Sequence, residues 1–238
     1  MSSLVFEPAH ESFSPVHGVP AHALLPALER FEEDPMDALQ SLGRDHRLIA
    51  RVLDAFEIYV GYVEARIPVE RFDLLRFVAF FQDHGDLCHH VKEESLLFPA
   101  LVAAGVSWND DPLARLRSEH DQEHYLLSSL DHSALYGQSW SEDDRLHFLS
   151  IAKEFISFQR NHMRFENGEV FPLAERTLSE FARARLSRDM ERFDEASRSR
   201  ILSSTALADA LWRRYTLNQT SLCESSHRAN AELARHSP

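Results

Sequence analysis

Cys88-His89-His90-Val91-Lys92-Glu93-Glu94-Ser95-Leu96-Leu97-Phe98-Pro99 sets a histidine four residues ahead of a glutamate twice over, inside an apolar run. On a helix, residues four apart share a face, one turn above the other. An imidazole and a carboxylate placed that way can reach one metal ion. A further copy stands downstream in His162-Met163-Arg164-Phe165-Glu166, and it too runs into a Phe-Pro step, Val170-Phe171-Pro172. Packing alone does not explain two such pairs on separate helices.

The chain around them reads as helical. Its 238 residues suffice for one good-sized core. Only 7 are glycine, which disfavours a turn-rich β protein and fits long helices. A net charge of −13 argues against a nucleic-acid binder and against docking on an anionic membrane. No apolar run approaches a membrane span, and Met1-Ser2-Ser3-Leu4-Val5 lacks the basic start of a signal peptide. Cys88 and Cys223 are too far apart in sequence for a disulfide framework or a zinc-ribbon spacing, and read as reduced thiols of a cytoplasmic protein.

Residues 1–35 hold Pro8, Pro15, Pro20, Pro26 and Pro35 and predict an extended arm, with His10, His17 and His22 exposed. A first helix follows over 36–66, opened by Asp34-Pro35 and closed by Pro68. Leu39, Leu42, His46, Ile49, Leu53, Phe56 and Val60 form its stripe. A second runs over 69–104 and stops at Gly105. At about 100° per residue its apolar face carries Phe77, Phe80, Leu87, Val91, Phe98 and Leu101. That phase selects His90 and Glu94 and leaves His89 and Glu93 in solvent. His84 reads as core or as support for a site, and Glu169 as support or exposed.

Asp111-Pro112 opens a third helix, ending near Gly137, with Leu113, Leu116, His120, His124, Leu127 and Leu130 on one face. Ser141-Glu142-Asp143-Asp144 is a capping box with Asp in the last place. It opens a fourth helix whose stripe is Ile151, Phe155, Phe158, His162, Glu166 and Leu173. Residues 176–238 shift in composition, with eleven Arg against eight acidic residues. They predict a helix over 179–199, a weaker one over 201–217, and a loose polar end.

Four helices thus each bring histidine to an apolar stripe: His46; His90 with Glu94; His120 with His124; His162 with Glu166. Taken singly, each has an ordinary explanation, as a satisfied core histidine or a hydrogen-bonded pair. Together, seven such groups in a leucine and phenylalanine core are costly unless something compensates them. Coordination does so. Nitrogen and oxygen donors without thiolate favour iron or manganese over structural zinc. Two carboxylates able to bridge make a dinuclear centre the natural count. The ferritin-like order, Glu-x-x-His, is absent; here histidine leads by four.

These residues resemble the hemerythrin-like, or HHE cation-binding, family. The matching pieces are Gly43-Arg44-Asp45-His46, His90-x-x-x-Glu94 with Leu97-Phe98-Pro99, Glu119-His120-Asp121, and His162-x-x-x-Glu166 with Val170-Phe171-Pro172, across roughly 36–175. The resemblance implies an all-α, up-down-up-down four-helix bundle, here with an N-terminal arm (1–35) and a C-terminal helical extension (176–238). It implies an oxo- or hydroxo-bridged pair of iron ions, with manganese the alternative occupant. Carried over, His46 and His90 serve one iron, His120, His124 and His162 the other, and Glu94 and Glu166 bridge. The two-histidine iron then keeps a position for O2 or a related small ligand such as NO or peroxide.

Oxygen-carrying members place the last carboxylate five residues after its histidine. The gap of four here is typical of the broader family, which includes iron- and oxygen-responsive regulators and iron–sulfur repair proteins. His124 leans back toward O2 binding. Three readings of function follow: a cytoplasmic di-iron protein binding a small ligand for sensing, storage or detoxification; an oxygen-activating di-iron enzyme; and a regulatory module whose C-terminal extension meets a protein partner.

Overall fold

The computed structural model describes residues 37–135 and 140–217. The arm of 1–35, with its three histidines, and the tail with Cys223 lie outside the described residues, as does the third helix's expected end at Gly137.

Six helical rods make up what is described. They are α1 (Ala38–Glu64), α2 (residues 71–103), α3 (Leu113–Leu135), α4 (residues 142–177), α5 (Glu180–Ala196) and α6 (residues 198–217). There is no strand among the described residues. Short connections make successive rods antiparallel neighbours. Here α1 packs on α2 and α4, and α3 packs on the same two, which closes an up-down-up-down four-helix bundle. Helices α5 and α6 lie against it within the same compact unit.

Local chemistry sets the ends of the rods. The cap of α1 is Asp37, whose carboxylate accepts from the Leu39 N–H at 2.8 Å; the Asp34-Pro35 start expected for this helix lies outside the described residues. Gly105, at φ 99°, ends α2, and the Val106 N–H closes back on the Leu101 carbonyl at 3.0 Å. The capping box of α4 forms in both directions, Asp144 N–H to Ser141 Oγ at 3.1 Å and Ser141 N–H to Asp144 Oδ2 at 3.0 Å.

Rods α2 and α4 are not uniform α-helix. Phe81–His90, Glu93–Leu97 and Glu166–Val170 are wider π turns. The Phe98 N–H bonds the Glu93 carbonyl, and the Phe171 N–H bonds the Glu166 carbonyl, each five residues back. A proline follows each phenylalanine. Pro99 and Pro172 have no N–H to offer, and a proline ring crowds the carbonyl four residues earlier, so a widened turn relieves the ladder there.

Two apolar clusters fill the bundle. One joins Phe56, Phe77, Phe81 and Phe155 to Ala208, Leu211 and Tyr215 of α6; the other joins Leu42, Phe98, Leu116 and Phe171 to Leu186 and Met190 of α5. A buried phenylalanine of this kind contributes about 1.5–3 kcal/mol. The C-terminal helices therefore complete both clusters. Along α1, His46 falls between Leu42 of one cluster and Ile49 of the other, so a polar layer separates them.

Candidate metal centre

Six side chains from the four bundle rods meet in that layer: His46, His89, Glu93, His120, His162 and Glu166. They are only 0–4 % exposed. They fall into two groups that share both carboxylates, His46 and His89 on one side, His120 and His162 on the other.

Each glutamate divides its oxygens between the two sides. Glu93 sets Oε1 3.7 Å from His89 Nε2 and Oε2 3.5 Å from His120 Nε2. Glu166 sets Oε1 3.1 Å from His162 Nε2 and Oε2 3.0 Å from His46 Nε2. This is the arrangement of two bridging carboxylates between two cation positions.

All four imidazoles turn Nε2 inward, and on the other nitrogen each meets an oxygen. His46 Nδ1 lies 3.0 Å from Asn167 Oδ1, His120 Nδ1 2.6 Å from Glu94 Oε1, and His162 Nδ1 2.8 Å from Glu119 Oε2. His89 Nδ1 is 3.6 Å from Asp45 Oδ2. For His46, His120 and His162 the acceptor fixes the proton on Nδ1 and leaves the Nε2 lone pair for a metal; beside His89, Asp45 stands as a neighbouring charge without a hydrogen bond. The Nε2 atoms of His46 and His89 are 3.0 Å apart, and two lone pairs at that distance call for a cation between them. Phe171 stacks on His46 and Phe98 on His120, at 5.3 and 6.0 Å between ring centres, so each Phe-Pro step also orients an imidazole.

The charges point the same way. Burial alone would depress His89, but Glu93, Asp45 and Glu166 outweigh it and push the imidazole up to about 10. Burial also opposes a charge on His120, yet Glu93 and Glu94 push it up to about 9. His162 rises well above its ordinary value against burial, through Glu166 and Glu119. Glu166, though buried, is held well below the carboxylate range by His162 and the other imidazoles. A site that draws protons so strongly draws any cation its donors fit.

Those donors fit a metal pair. Neither oxygen of Glu93 or Glu166 takes a hydrogen bond, nor does Nε2 of His120 or His162. Leaving buried groups unsatisfied costs about 1–3 kcal/mol each, more when charged. The set is imidazole and carboxylate without thiolate; Cys88 is buried but outside it. That chemistry suits iron or manganese.

Of the seven residues expected from the sequence, His46, His120, His162 and Glu166 come together here. Glu94 does not join them; its side chain is 47 % exposed and holds His120 from outside. His124 is 58 % exposed and sets Nδ1 3.1 Å from Asp86 Oδ2. His90 lies beside the layer, its ring stacked on His120 at 4.0 Å. The expectation that His89 and Glu93 are solvated is overturned, since they are 1 % and 0 % exposed. The reason is the widened turns of α2. Inward positions there step by four and five residues through His84, His89, Glu93 and Phe98, while Leu87, assigned to the apolar face at α-helical spacing, is 45 % exposed.

One signal in the sequence separates the two pairs. His162 and Glu166 precede their Phe-Pro step with Glu166 five residues ahead of Phe171, and only Glu93, preceded by His89, stands five ahead of Phe98. His84 is buried beside Asp45, Glu169 is exposed, Tyr59 is core and Tyr125 is exposed.

No curated protein and no solved structure matches this chain closely enough to compare. No helix among the described residues is long and apolar enough to cross a membrane. The family model described as the hemerythrin HHE cation-binding domain matches residues 37–174. That span holds all six inward donors, three of the rods that carry them and the fourth up to its last turn, and the chain belongs to the hemerythrin HHE cation-binding family.

Proposed function

We propose that this centre holds two iron ions and that the protein binds O2, or a related small ligand such as NO or peroxide, for sensing, storage or detoxification in the cytoplasm. The observation that carries the reading is the sharing of Glu93 and Glu166 between two histidine pairs. Two imidazoles and two bridging oxygens give each ion four protein donors and leave positions for a small exogenous ligand. Bound iron supplies the redox chemistry toward such ligands.

The chain's own residues do the rest. Glu93 and Glu166 set the spacing of the two positions. Asn167, Glu94 and Glu119 hold the imidazoles of His46, His120 and His162 with Nε2 inward, and Asp45 faces His89. The two apolar clusters exclude water from both ends of the layer. Near-complete burial of the six donors favours a diatomic or comparably small ligand over an organic substrate.

Metal analysis with Mössbauer spectroscopy tests the proposal. The expected result is two irons per chain and near-ultraviolet absorption that appears on aeration. A purified protein with no iron and no such absorption defeats it. Consumption of electrons and an organic co-substrate under O2 would replace it with the oxygen-activating enzyme.

A second reading, a regulatory module, has its own support. Lys92 is buried and places Nζ 2.5 Å from Asp45 Oδ2 and 3.2 Å from Asp194 Oδ1 of α5. Asp45 in turn faces His89. The C-terminal extension is thus three contacts from a metal-facing histidine, a route by which metal occupancy alters the surface offered to a protein partner. Removing the extension would strip both apolar clusters, so the sparing test is Asp194→Asn. It should leave two irons bound and change the protection of α5 from hydrogen exchange on metal loading; identical protection in both proteins refutes the coupling.

A further inference from the structure

Beside the six donors stands a second polar cluster that they leave unused. Asp86, His90 and Glu123 are buried, and each offers a donor atom within 4.8 Å of the others. His90 Nε2 is 3.3 Å from Glu123 Oε2, and His90 Nδ1 is 3.3 Å from Asp86 Oδ1. Glu123 is 0 % exposed, and neither of its oxygens takes a hydrogen bond. Among the described residues no lysine or arginine forms an ion pair with it, and His90 Nε2 faces it.

Such a carboxylate is hard to account for as packing. An isolated buried charge is expensive, and an unpaired buried acceptor costs about 1–3 kcal/mol even when neutral. Asp86 adds a second acidic group to the same small space, and of its two oxygens one faces His124 at the rim. Two carboxylates and an imidazole are a cation's donor set.

We propose that Asp86, His90 and Glu123 form a third divalent-cation site, adjacent to the His120–His162 side of the paired centre. Its place follows from His90, whose ring nitrogen also lies within 4.8 Å of those of His120 and His162. The site takes a first-row divalent ion that accepts mixed nitrogen and oxygen donors, Fe(II), Mn(II) or Zn(II). Three protein donors leave the remaining positions to water. The exposed His124 on Asp86 puts this third position, unlike the paired ones, next to the surface.

Anaerobic titration of the metal-free full-length chain with Mn(II), with bound metal counted per chain, tests this. The wild type should saturate at three ions. Glu123→Gln and Asp86→Asn should each saturate at two, with the third ion weakened roughly 100-fold, the upper end of what even an outer partner costs. Glu166→Gln should lose the bridged pair and keep an ion that Glu123→Gln removes. Saturation of the wild type at two ions, unchanged by Glu123→Gln, overturns the third site and leaves the pair standing. A single ion lost on Glu123→Gln supports the third site and defeats the pair. Thermal unfolding guards against misfolding. Metal-free Glu123→Gln should melt no lower than the metal-free wild type, because the isosteric amide gives up no hydrogen bond that the carboxyl group made, and a drop of several degrees also overturns the assignment.

Discussion

Glu93 and Glu166 reach the same two positions from separate rods, each giving one oxygen to either histidine pair. Their local settings are near copies. Each follows an inward histidine by four residues, each carbonyl takes an N–H from a phenylalanine five residues on, and a proline comes next. The repetition places both carboxylates at one level of the bundle.

From this follows a contrast between inner and outer carboxylates. Glu93→Gln or Glu166→Gln should abolish cooperative binding of the metal pair. Glu94→Gln, which touches only the far nitrogen of His120, should keep both ions and weaken them roughly 10–100-fold. Metal content after dialysis against graded chelator separates the two outcomes.

The shifts at His89 and His120 give opposite pH trends for the metal-free and loaded protein. Both imidazoles are raised, to about 10 and about 9, above an ordinary value near 6.5. A raised group stabilises the fold fully below its unfolded pKa and loses that contribution as pH climbs through the folded one. The metal-free protein should therefore weaken in denaturant titrations between about pH 6.5 and about 10. Metal must displace those protons, so its affinity should rise over the same window and loading at neutral pH should release protons. Calorimetry in buffers of different ionisation enthalpy counts them; no release at pH 7 would contradict this.

Asp73 ties α6 to the bundle away from the metal layer. It is 0 % exposed and accepts from Tyr215 Oη at 2.5 Å, Arg214 Nε at 2.7 Å and Arg76 Nη1 at 2.9 Å. Both arginines are partly in solvent, so the buried tyrosine contact dominates. Asp73→Ala should cost about 2–3 kcal/mol in chemical denaturation. Metal stoichiometry should be unchanged.

Lys92 links stability to the centre. Lys92→Met removes a buried ammonium and leaves Asp45 facing His84 and His89. Breaking a buried ion pair costs about 3–5 kcal/mol. The expected result is a lower melting temperature in both metal-free and loaded protein, with a larger loss in the loaded form because His89 loses its fixed partner.

Much of this is legible in the amino-acid sequence. The stripe of α1 is buried residue for residue from Leu39 to Val60, and Gly105 and the Ser141 box mark real helix ends. Those features are local: they follow from α-helical spacing and from capping chemistry within a few residues. On α3 the inward place beside His120 goes to Glu123 and not to His124, although both lie near the same stripe. Spacing alone cannot rank two neighbours on the edge of a face.

The sequence by itself determined a helical bundle with histidine on four rods and a family to place it in. Regular α-helical spacing picks His90 and Glu94 from the doubled run in α2, and packing turns His89 and Glu93 inward instead. There the ladder widens ahead of Pro99, and packing of Phe98 on His120 holds the widened turn in place. A regular period carried through the widened turns misassigns residues within them by about one position, as at Leu87, His90 and Glu94, while Phe98 and Leu101 beyond them are buried as expected.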